Sequence, residues 1–262
     1  MNFNIIIFRI FRYLRYWLLA VDEHSLQSPF VYEVYSKALC PSKRKEIADP
    51  SIEEIRKKLQ RERRSIEANT LGSGSSMTAS NAKKMSKIAR SGISNRRQSE
   101  ILVNLVETMK YKTVLELGTS LGLNAIYLSQ SKGVQKVVTV EGNDKLAAEA
   151  NKYIIELKAP HVKLVKSDID KYLEDNKEKF DLIYIDANHT YEATLRYFAL
   201  SSKILSHQGT IVIDDINWSK EMCKAWMNIV ANSTDQLTIE NHNIGIVFAN
   251  RTTPNKHYVL RF

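Results

Sequence analysis

Short apolar runs and longer helical-period segments alternate through the second half of the chain. The runs are Thr113–Leu117, Lys136–Val140, His161–Val165, Phe180–Ile185 and Thr210–Ile213, each bounded by polar or glycine-containing turns. Between them, Leu123–Ser129, Asp144–Leu157, Tyr191–Leu205 and Ser219–Val230 carry apolar residues at helical spacing. Strand and helix in strict alternation predict an α/β fold with a doubly wound, mostly parallel sheet covered on both faces. The tail breaks the rhythm. Leu237–Glu240, Ile244–Ala249 and His257–Arg261 read as strands with no helix between them, which predicts an antiparallel end to the sheet.

The front half has a different pattern. Residues 1–20 place Ile5, Ile6, Ile7, Leu14, Trp17 and Leu18 around Arg9, Arg12 and Arg15, the pattern of a basic amphipathic helix. The arginines interrupt it too often for the ~18 apolar residues of a spanning helix. Nor does it contain the uninterrupted apolar core and cleavage site of a secretory leader. Packing on the domain or on a second copy of the chain is favoured, and lying on a membrane surface is the alternative. Helices are expected over Glu33–Leu39, Ile52–Ile66 and Ser91–Met109, with a Gly/Ser-rich loop over Asn69–Ser80. The expected organisation is a helical extension or lid over 1–110 and a catalytic domain over 111–262.

Composition narrows this further. The chain has 262 residues, 44% hydrophobic and 26% charged, as an ordinary globular protein does. The net charge of +9 is concentrated near the front, in Arg9 to Arg15, Lys43 to Lys45 and Arg56 to Arg64. It is therefore a property of that segment, and no nucleic-acid partner is expected. The two cysteines, Cys40 and Cys223, have no metal-ligand spacing and suggest a reducing, cytoplasmic setting.

The candidate chemistry lies at the strand ends. After Thr113–Leu117 a turn containing Gly118 and Gly122 opens the next helix, which brings backbone N–H groups to a ligand. The following strand ends in Glu141, placed to accept both hydroxyls of a ribose. A dinucleotide G-x-G-x-x-G and a phosphate-binding G-x-x-x-x-G-K-[ST] are both absent. Further strand ends carry Asp168, Asp186 and the Asp214-Asp215 pair. Oxygen donors from adjacent strand ends suit Mg²⁺ or another hard divalent ion. Two of these residues also have plainer readings. Asp168 can cap the next helix, and Asp215 or Asn217 can cap the helix from Ser219.

Glu116-x-Gly118-x-x-x-Gly122 with Glu141 downstream resembles the class I S-adenosylmethionine-dependent methyltransferases, a Rossmann-like fold of seven-stranded type. That resemblance implies S-adenosylmethionine as cofactor, held by Glu116, Gly118, Thr119, Ser120, Gly122, Glu141, Gly142, Asp168 and Asp186. In it, Asp168 would accept the adenine amino group. The acidic strand ends resemble the catechol-O-methyltransferase-like, cation-dependent branch, with Asp215 standing where Asn is usual. The likeness implies Asp186, Asp214 and Asp215 as metal ligands. His189, three residues after Asp186, stands where that branch has a lysine that deprotonates the acceptor hydroxyl. Asp186 and His189 are thus the catalytic candidates, although His189 can also serve as a supporting hydrogen-bond group. Trp218 and the loop at 71–76 are candidates for shaping the pocket. His24 to Phe30 and Asp215 to Met222 also resemble a group of methyltransferase-like proteins associated with Bacteroidetes. The expected activity is O-methylation of a small hydroxylated acceptor, aromatic ones included. Methylation of another acceptor without metal, and a non-catalytic cofactor-binding role, are the alternatives.

Overall fold

The computed structural model describes residues 3–40, 49–67, 82–251, 253 and 255–262. In chain order the elements are α1 (Phe3–Leu19), α2 (Pro29–Val34), α3 (Pro50–Arg61), β1 (Ser65–Glu67) and β2 (Ala82–Lys84). Then come α4 (Met85–Ser91), α5 (Arg96–Met109), β3 (Thr113–Leu117), α6 (Leu123–Ser129) and β4 (Lys136–Glu141). They are followed by α7 (Asp144–Glu156), β5 (Val162–Lys166), α8 (Ile169–Asp175), β6 (Phe180–Ile185) and α9 (Tyr191–Lys203). Last are β7 (Leu205–Ile213), α10 (Lys220–Asn232), β8 (Leu237–Glu240), β9 (Gly245–Phe248) and β10 (His257–Val259). The α/β class and the mostly parallel strands are those expected. The described chain divides into two compact units, one within Arg44–Asp175 and the other formed by Met1–Lys43 with Asn176–Phe262.

In the first unit β3, β4 and β5 run parallel, with Thr113 beside Lys136 and Glu141 beside Lys166. The strands are apolar because helices cover them: Ile52, Ile55 and Leu59 of α3 share a core with Val103, Leu123, Ile126 and Tyr127. Helix α3 begins where Asp49 accepts the Ser51 N–H at 2.9 Å with Pro50 at its first turn. It stops at Arg61, short of the expected Ile66. Ser65–Glu67 instead pairs antiparallel with Ala82–Lys84, so strand pairing overrides the helical periodicity there. The expected helix over Ser91–Met109 is broken before it starts. Helix α4 ends at Ser91, and α5 begins again after Asn95 caps the Gln98 N–H at 3.0 Å. The Gly/Ser loop, including 71–76, lies outside the described residues.

In the second unit β6 pairs parallel with β7, which pairs antiparallel with β9, and β9 antiparallel with β8. The last strand departs from expectation: β10 lies parallel to β8, His257 beside Thr238. Strand β7 also starts five residues earlier than its apolar pattern, because Leu205 is drawn into pairing with Phe180. The expected helix over Glu33–Leu39 is instead α2 from Pro29, passing into a widened turn over Tyr35–Leu39. No described helix is long and apolar enough to cross a membrane.

Candidate active site

The first unit holds the glycine turn and the carboxylate beside it. Gly118 has φ 102 and Gly122 φ 78, a region that side chains rarely adopt. A Cβ on Gly122 would also sit 3.1 Å from that of Ala150, so the turn can press against α7 only as glycine. The turn is anchored from beneath: Gly118 and Thr119 donate N–H bonds to the Val140 carbonyl at 3.0 and 3.2 Å. At the end of β4 the Glu141 carboxylate accepts N–H bonds from Ser120 and Asn143, both at 2.9 Å. Burial raises its pKa, and the N–H groups of Asn143, Ser120 and Gly142 oppose that shift. A carboxylate has about four lone-pair sites, so acceptor capacity remains for ligand hydroxyls. These residues fit the ribose end of S-adenosylmethionine.

Glu116 sits differently from the ligand-facing position expected of it. It is 1% exposed, and its oxygens accept from the Asn124 amide at 2.8 Å and the Thr139 hydroxyl at 2.5 Å. Thr139 in turn meets the Thr119 hydroxyl at 2.6 Å, so the side chains of Glu116 and Thr119 form an internal network under the turn. Burial pushes Glu116 up to about 7, against the pull of its Thr139 and Asn124 bonds and with added repulsion from Glu141. Asp168 caps α8, accepting the Lys171 N–H at 3.2 Å through one oxygen. Asn124, Thr139 and Asn143 escaped the sequence reading. Only Asn143 left a signal there, since it precedes a helical pattern and caps Lys145 and Leu146.

The second unit holds an acidic cluster with one imidazole. The Asp214 N–H donates to the Ile185 carbonyl at 3.0 Å, which brings the ends of β6 and β7 together. His189 Nε2 lies 3.6 Å from Asp186 Oδ1 and 4.0 Å from Asp215 Oδ2. Burial lowers the His189 pKa, against the opposing charge of Asp214, so the ring is neutral at pH 7. Asp215 is held at φ 52, and its carboxyl is pushed up to about 7 by burial and by Asp214, with Arg9 opposing. The capping reading of Asp215 and Asn217 falls, because Ser219 itself caps α10 by accepting the Met222 N–H at 3.1 Å. Asn217 accepts from Arg12 at 2.6 Å instead, and Trp218 carries the Arg9 guanidinium 3.9 Å from its ring centre.

The aspartates expected to bind a metal do not fit one in this arrangement. Each Asp214 oxygen already accepts one hydrogen bond, from the Tyr184 hydroxyl at 2.6 Å and from the Asp215 N–H at 2.7 Å. Among the described residues no group of three or more His, Cys, Asp or Glu side chains is placed to hold an ion.

A left-handed glycine turn between β3 and α6, with a carboxylate on the tip of β4, suits a nucleoside-containing ligand. Residues 115–216 match the methyltransferase domain family. The fold around them is that of the class I, S-adenosylmethionine-dependent methyltransferases. The chain is similar to O-methyltransferase hkm8 of Aspergillus hancockii, 28% identical over 136 residues that cover 49% of this chain. It spans about half the length of that relative, 54%. Among solved structures, the O-methyltransferase from Bacillus cereus in complex with S-adenosylhomocysteine has a TM-score of 0.54 at 19% identity. That match covers 84% of this chain and 97% of the other. The O-methyltransferase TomG from Streptomyces achromogenes, in complex with S-adenosylmethionine, has a TM-score of 0.52 at 16% identity. It covers 61% of this chain and 82% of its own.

Proposed function

We propose that this protein transfers the methyl group of S-adenosylmethionine to a hydroxyl of a small acceptor. The observation that carries this reading is the Glu141 carboxylate gripping the Ser120 N–H at 2.9 Å within the matched domain. When bound, S-adenosylmethionine supplies a methyl carbon already activated by its sulfonium, so the protein's tasks are alignment and proton removal. Glu141 accepts the ribose hydroxyls, and the second oxygen of Asp168 is available to the adenine amino group.

His189, neutral near pH 7, takes the acceptor's proton at Nε2. Asp186, 3.6 Å away, steadies the imidazolium that results. Trp218, stacked under Arg9 and close in sequence to Asp215, supplies an apolar wall for a flat acceptor. A hydroxyl acceptor is supported by the O-methyltransferase named among the sequence relatives. If a divalent ion takes part, Asp186, Asp214 and Asp215 are the residues that would hold it, and it would acidify the acceptor hydroxyl. A cytoplasmic setting is supported by the two buried cysteines, both free thiols.

The test is incubation of the purified chain with methyl-labelled cofactor and a panel of catechols, phenols and sugar or lipid alcohols, each with and without EDTA. Label in a hydroxylated acceptor supports the proposal. Label only in amine acceptors, or in none while cofactor still binds, removes it. EDTA-sensitive labelling would return the aspartates to the ligand role.

A further inference from the structure

Arg9 has no part in proton removal, yet α1 carries it to the turn that follows β7. Asp215 opens that turn: its carbonyl accepts the Trp218 N–H at 2.9 Å, and its carboxylate lies 4.0 Å from His189 Nε2. At the other end Arg9 Nε donates to the Trp218 carbonyl at 3.1 Å, and the guanidinium carbon stands 3.9 Å from the Trp218 ring centre. A hydrogen bond and a cation–π contact thus fix one half-buried guanidinium. Among the described residues its terminal nitrogens, Nη1 and Nη2, hydrogen-bond to nothing. No described carboxylate reaches it at salt-bridge distance, although its charge is near enough to oppose the raised pKa of Asp215. Arg12, one turn on, is 8% exposed and already donates to Asn217 at 2.6 Å.

We propose that Arg9 determines acceptor specificity by gripping a carboxylate with Nη1 and Nη2, while a hydroxyl of the same molecule meets His189. The inference rests on the methyl-transfer reading and names its acceptor class, a small hydroxylated acid. A carboxylate suits this group because the guanidinium fork is planar and matches two oxygens at once. Binding also costs little ordering, since the side chain is already fixed by Trp218. Trp218 is 48% exposed, so indole surface is left for a flat ring. Charge sets the direction of the acceptor. Asp186 and Asp215 beside His189 repel a carboxylate and Arg9 attracts it, so the hydroxyl end is the one turned to Nε2.

The test offers the full chain methyl-labelled S-adenosylmethionine and catechol acids of two lengths, dihydroxybenzoate and dihydroxycinnamate, each beside its neutral amide. In the wild type at least one acid should exceed its amide in kcat/KM by roughly 10-fold to 100-fold, the worth of a charge-assisted contact. Arg9→Gln should abolish that preference and Arg9→Lys should keep part of it. Arg15→Gln, on the exposed side of α1, should keep all of it. Calorimetry of the same acids against protein loaded with S-adenosylhomocysteine reads the grip without turnover. Were Arg9→Gln to unfold, the wild-type preference and Arg9→Lys decide. Acid and amide used equally by the wild type, or a preference that survives Arg9→Gln, overturns the inference. So do acids that neither bind nor react, whatever other acceptor is labelled. Acids that bind through Arg9 yet receive no methyl overturn the methyl-transfer reading instead and leave Arg9 as a carboxylate site.

Discussion

The Glu141 carboxylate, at the tip of β4, accepts the backbone N–H of Ser120 at 2.9 Å and so holds the glycine turn that follows β3. One side chain thus shapes the turn and presents acceptor oxygens beside it. Because its partners are backbone N–H groups, shape and charge are set by the same atoms.

Glu141→Ala should weaken S-adenosylhomocysteine binding by about 1–3 kcal/mol, the cost of burying hydroxyls without their acceptor. Calorimetry on the folded variant reads this directly. Unchanged affinity would remove Glu141 from the cradle.

Glu116 makes stability depend on pH. Its folded pKa of about 7 lies above the ordinary 4.5, so the folded state holds the proton more tightly than the unfolded chain. The stability from the protonated form is fully present below 4.5 and is lost as pH rises through about 7. Within that window the slope approaches about 1.4 kcal/mol per pH unit. Glu116→Gln should flatten it, and urea unfolding at a series of pH values will show whether it does. An unchanged pH dependence would mean that Glu116 is ionised in the folded protein throughout.

His189→Ala should lower turnover by roughly 10²–10⁴-fold while leaving cofactor affinity intact. In the wild type, turnover should fall as pH drops through the His189 pKa, which burial places below 6.5. Stopped assays across pH with both proteins check this. Full activity in the alanine variant would mean that the acceptor hydroxyl loses its proton elsewhere.

Gly122→Ala should destabilise the protein by about 1–3 kcal/mol, since alanine must take φ 78 and push its Cβ to 3.1 Å from Ala150. Thermal unfolding gives the figure. A stability equal to wild type would show that the turn relaxes freely.

Removing the Arg12 side chain should leave the buried Asn217 oxygen without its donor and cost about 1–3 kcal/mol. Arg12→Lys should recover part of this, because a lysine ammonium also donates but on a longer, less rigid stem. If Arg12→Ala melts with the wild type, α1 contributes nothing to the second unit's stability.

Much of this molecule was legible in the order of its residues. The strands β3, β4 and β6 were legible because buried parallel strands are continuous apolar runs, and a run is a local property. Gly118, Gly122 and Glu141 were equally readable, because a turn's backbone needs and a strand tip's chemistry are encoded within a few residues. Only the tertiary structure decided what the remaining polar groups face. Glu116 belongs to the same motif, yet Asn124 and Thr139 enclose it, and Thr139 arrives from the next strand. Asp214 and Asp215 are identical neighbours in sequence. Tyr184 donates to one, while burial and the charge of Asp214 push the carboxyl of the other up to about 7. Helix α1 could be seen to be amphipathic, but periodicity says only that it has two faces. Which face turns inward depends on partners distant in the chain, Asn217 and Trp218, which hold Arg12 and Arg9 and leave Ile10, Leu14 and Leu18 exposed.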